Sequence, residues 1–71
     1  MAKLGMLLTP HEQVELEYIL RKELEDLLTD LEDRRLEGLL RSVLEERYAL
    51  LLRLYSRVAP PREVRRFLRS P

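Results

Sequence analysis

Cysteine, tryptophan and asparagine are absent from these 71 residues, histidine and phenylalanine occur once each, and there are only two glycines. Without cysteine the chain forms no disulfide and no thiolate metal site, which fits a reducing, cytoplasmic setting. The single histidine, His11, has Glu12 beside it and Glu15 one turn on, but two ligands are too few for a metal. With two isolated glycines there is no phosphate-binding loop, and Ser42, Ser56 and Ser70 have no histidine within helical reach. No run approaches the ~18 apolar residues of a membrane span. The apolar stretch Leu4 to Leu8 is too short for a signal-peptide core and no small-residue cleavage site follows it. Two short helices leave little volume for a pocket of ~300 Å³ or more. We therefore expect a soluble cytoplasmic protein, not an enzyme, with no catalytic residue, cofactor or metal. Met6 is an alternative start to Met1.

What is present is leucine, glutamate and arginine, a composition resembling that of thermophile proteins. The charges cancel in total but not along the chain: residues 1–33 hold nine acids and three bases, residues 34–71 ten arginines and four acids. The chain is a charge dipole of −6 and +6. Folding it in half pairs the two signs within a hairpin or between protomers.

Residues 1–8 read as a flexible arm, with Leu7 and Leu8 available to cover an end of the core, and 9–71 as one domain. Thr9-Pro10-His11-Glu12 is a capping box with proline at the first helical position, so a helix starts here. Leu16, Leu20, Leu24, Leu27 and Leu31 then form a seam within about 80° of arc, enough for one partner helix. The seam breaks before Leu36, in a stretch containing Thr29, Asp30 and Asp33, all poor helix formers. We expect a tight turn near 29–33, capped by one of these three, and a second helix to Val58. A single helix from Pro10 to Val58, bent at the break, is the alternative. Gly38 falls inside the second helix, where it costs on the order of 1 kcal/mol against alanine; it either permits close helix approach or marks a later turn.

The second helix carries more apolar surface than one neighbour can cover. Leu40, Leu44, Tyr48, Leu51, Tyr55 and Val58 form one stripe, and Leu36, Leu39, Val43, Leu50 and Leu54 a second beside it. A core this small rarely supplies more than ~3–5 kcal/mol without help, and with disulfides excluded the remaining help is another chain. Ala59-Pro60-Pro61 ends the second helix and opens a short third one, to about residue 69, with Val64, Phe67 and Leu68 on one face. We expect it to fold back near Val14 and Tyr18.

The expected fold is thus all-α: an antiparallel hairpin of about 10–30 and 33–58 plus a short helix at about 61–69, self-associating into a helical bundle. The expected function is that of a non-enzymatic interaction or regulatory module, a homodimer or homotetramer through Leu36, Leu39, Val43, Leu50 and Leu54, with another helical protein as a further possible partner. The alternative is a nucleic-acid-binding regulator using Arg62, Arg65, Arg66 and Arg69, with Arg53 and Arg57 beside them and Tyr55 or Phe67 to stack on bases. In length and layout the chain is similar to small dimeric helical-hairpin proteins such as the Rop-like copy-control RNA binders. That resemblance carries no functional residue over.

Overall fold

A computed structural model describes residues 2–68. It contains two long helices, α1 (Pro10–Leu31) and α2 (Gly38–Val58), and a short α3 (Pro61–Arg65). α1 and α2 pack against each other and α3 packs on α2; there is no strand among the described residues.

α1 begins as its sequence dictates. The Thr9 hydroxyl accepts from the Glu12 N–H at 3.2 Å, and the Glu12 carboxylate accepts from the Thr9 N–H at 2.8 Å. Two backbone donors that the first turn cannot satisfy internally are thereby paired. The leucine seam then goes inward: Leu20, Leu24, Leu27 and Leu31 are buried, and Leu16 is half-buried against them.

α2 begins five residues later than expected. None of Thr29, Asp30 or Asp33 caps it; its cap position is Glu37, which makes no side-chain cap bond. Asp33 instead organises the turn, accepting from the Arg35 backbone N–H at 2.9 Å and from its guanidinium at 3.2 Å. Those bonds hold its carboxyl below the usual range, even though it faces water. Thr29 stays helical and donates its hydroxyl to the Glu25 carbonyl. The later start is set by Gly38, whose φ of +70° lies in the left-handed region that side chains with a Cβ adopt only at a cost. A Cβ here would meet nothing within 4 Å, so close helix approach is not its role. Gly38→Ala should therefore lose about 1 kcal/mol through the backbone alone, read as a lower urea midpoint with unchanged slope; no loss would show that the turn relaxes without strain.

Both ends of the hairpin are tied by a side chain of one helix to the last carbonyl of the other. Arg41 donates two guanidinium hydrogen bonds to the Leu31 carbonyl, at 3.0 and 2.8 Å. α1 has no basic residue in its own last turn, so Arg41 supplies the positive charge its C-terminus favours. At the far end the Gln13 amide donates to the Val58 carbonyl at 3.1 Å. With the Arg47–Glu23 ion pair between them, these bonds set the antiparallel register.

The core is completed by Tyr48, Leu51, Tyr55 and Phe67. After the extended pair Ala59-Pro60 the chain turns back along α2, and α3 gives way to two turn residues that carry Phe67 onto Tyr55. The two rings meet edge to face at 5.6 Å, and the Tyr48 hydroxyl donates to the Phe67 carbonyl. This corrects the expected docking place. Val14 and Tyr18 stay largely exposed, because the segment runs back beside the middle of α2 rather than over the start of α1. α3 is also shorter than expected, ending at Arg65.

Candidate functional site

Two packed helices form a layer with two broad faces, and the chain treats them differently. On one face the C-terminal segment lies along α2, where Val64 and Leu68 border a shallow hollow with Ala49, Leu52 and Ser56. The other face carries the second apolar stripe. Leu39 is 81% exposed, Val43 and Leu50 are 50% exposed and Leu54 is 44% exposed. Steps of four, seven and four residues place these side chains on one line along the helix.

The remaining member of the expected interface, Leu36, does not belong to this line. It precedes α2 and packs, half-buried, on the hairpin's own core. Leu40 moves the opposite way: assigned by periodicity to the core stripe, it is 58% exposed. Arg41 is bonded to the last carbonyl of α1, so Leu40 lies at the end of the two-helix layer, where α1 no longer stands opposite.

The N-terminal arm borders the same open face. Leu4, Met6 and Leu8 surround a groove of 460 Å³ with Leu16, Leu54 and Val58. Leu8 is half-buried, whereas Leu4 and Leu7 are almost fully exposed and extend the apolar surface. A second hollow of 580 Å³ runs along the stripe between Val43, Glu46, Arg47, Leu50 and Arg53. Both exceed the volume expected of two short helices, because they are open surface grooves and not enclosed cavities. Neither brings together the groups that acid–base or nucleophilic chemistry needs. Among the described residues no three His, Cys, Asp or Glu side chains converge as a metal site would require. His11 sits in the exposed first turn of α1.

The arginines of the basic half are placed as follows. Arg62 and Arg65 are exposed on α3, Arg66 follows it, and Arg69 lies outside the described residues. Arg66 bonds the Glu63 carboxylate at 2.8 Å, which, with the nearby Glu25 charge, raises its already high pKa. Arg53, Arg57, Arg62 and Arg65 have no ion-pair partner among the described residues. The aromatic platforms expected to accompany them are inside the protein: Tyr55 is fully buried and Phe67 nearly so, each packed against the other. Stacking on a base would require opening the core. The charge dipole is bridged within the hairpin by Arg47 and Glu23 at 3.5 Å, while Lys22–Glu25, Arg41–Glu45 and Arg66–Glu63 are local pairs on single segments.

No helix among the described residues is long and apolar enough to cross a membrane. Compared with known proteins, the chain matches no family model, no curated protein and no solved structure at a significant level.

Proposed function

We propose that this protein is a small non-enzymatic interaction module of the cytoplasm that assembles with itself, the open face of α2 meeting the same face of a second copy. The observation that carries this reading is the line of Leu39, Val43, Leu50 and Leu54, each of which leaves between 44% and 81% of its surface in water. A core with eight buried side chains among the described residues leaves little stability to spare. Covering the line adds apolar burial at ~25 cal/mol per Å² and removes an exposed patch of the kind that monomeric proteins avoid. A helical bundle made from two hairpins is the simplest closed arrangement, because a two-fold contact uses one face twice and leaves no unsatisfied copy of it.

The absolute mass in solution tests this directly. Light scattering after size exclusion should give a multiple of 8.5 kDa at both low and high salt, since apolar contact is not screened. A mass of 8.5 kDa across the accessible concentration range would overturn it.

A further inference from the structure

The flanks of the stripe differ in charge, and that difference selects how a second copy can lie on it. Glu46 and Arg47 sit about 50° to either side of the stripe's midline at 100° per residue. On the Arg47 side the stripe borders α1, to which Arg47 is tied through Glu23. Glu15, Ile19 and Glu23 follow one another at four-residue steps along that flank of α1, so it is acidic. On the other side lie Glu46 and Arg53, neither with an ion-pair partner among the described residues. The hairpin register, set by Gln13 on Val58, Glu23 on Arg47 and Arg41 on Leu31, puts Arg53 level with the turn between Glu15 and Ile19.

A two-fold axis running across the helices makes them antiparallel and sets each flank against its own kind. Glu46 then faces the partner's Glu46, Arg47 the partner's Arg47, and the acidic flank of α1 its own copy. A two-fold axis running along the helices makes them parallel and sets each flank against the opposite one, as flanking charges do in parallel helix pairs. Glu46 then faces the partner's Arg47, and Arg53 comes beside the partner's Glu15. Resting on the self-association proposed above, we propose that two copies pack their α2 helices parallel and in register, Leu39, Val43, Leu50 and Leu54 each meeting its own copy while Glu46 pairs with the partner's Arg47. Like charges juxtaposed across a contact act against the antiparallel alternative, so the charge pattern sets orientation while the leucines supply affinity.

Because the chain has no cysteine, single introduced cysteines report on orientation without background. Val43→Cys and Leu50→Cys are purified separately, oxidised alone and as an equal mixture, and resolved on non-reducing gels. The parallel arrangement predicts that each variant cross-links with itself. In the antiparallel one, two Val43→Cys sites lie seven residues apart along the axis, ~10 Å, beyond the ~7 Å that a disulfide spans. Cross-linking confined to the mixture would therefore overturn the parallel arrangement and leave self-association standing. Absence of cross-links in every arm, together with a monomeric mass for the unmodified protein, would overturn self-association itself. Glu46→Arg gives a second reading that does not depend on disulfide geometry: it should weaken the parallel dimer about tenfold at low salt by replacing two attractive pairs with two repulsive ones. An unchanged dissociation constant matches the antiparallel contact, where one like-charge pair replaces another, and would overturn the proposal.

Discussion

Phe67→Ala is expected to cost about 3–5 kcal/mol. Phe67 is nearly fully buried, yet it lies beyond the end of α3, in a turn with no helix of its own to hold it. What keeps the segment in place is the edge-to-face contact with Tyr55 and the hydrogen bond from the Tyr48 hydroxyl to the Phe67 carbonyl. Removing the ring leaves a cavity against Tyr55, a fully buried side chain of α2. It also frees the C-terminal segment, breaking the hydrogen bond from the Tyr48 hydroxyl to the Phe67 carbonyl. The Tyr55 hydroxyl is already buried without a hydrogen-bond partner among the described residues, so this part of the core has no surplus to draw on. Since a single core of this size rarely supplies more than ~3–5 kcal/mol, the variant should be largely unfolded when dilute, seen as loss of far-ultraviolet helical signal at room temperature. A shift of less than about 1 kcal/mol, the scale of an ordinary surface change, would mean that the C-terminal segment is an appendage and not part of the core.

If the protein assembles as proposed, the double substitution Val43→Glu with Leu50→Glu should convert it to an 8.5 kDa monomer that keeps its helices. Both positions are half-exposed within the protomer, so the glutamates reach water there, and glutamate is a good helix former. In the proposed assembly the same positions would be covered, and each unpaired carboxylate taken out of water costs several kcal/mol. Circular dichroism and light scattering on the same samples separate the outcomes: retained helicity with a monomeric mass is the expected result. An unchanged oligomer would show that self-association uses another surface, the groove bordered by Leu4, Met6 and Leu54 being the next candidate.

Much of α1 was legible from local chemistry. The capping box forms with both reciprocal bonds, and four of the five seam leucines are buried, because both features depend on residues three or four apart. The start of α2 was not, since the stretch from Glu32 to Leu36 has neither glycine nor proline and its turn is held by Asp33 and Arg35, a pair with no strong sequence signature. Gly38 fits either a later turn or close packing by sequence, and only its left-handed φ decides between them. The two helix-end ties, Arg41 to Leu31 and Gln13 to Val58, have no sequence signal, as they join residues that become neighbours only when the hairpin closes.

By itself, the sequence determined that the chain is helical, where α1 begins, where α2 ends, and that α2 has one apolar stripe more than its hairpin needs. Those are consequences of periodicity, capping and proline geometry, all local in the chain. Only the tertiary structure decided which stripe residues are spent internally. Leu36 was drawn into the core and Leu40 left out of it, and Phe67 crossed back to Tyr55 instead of reaching Val14 and Tyr18. The physical reason is that burial is a property of what stands opposite a side chain, and what stands opposite depends on where the turns fall and on which groups tie the helix ends together.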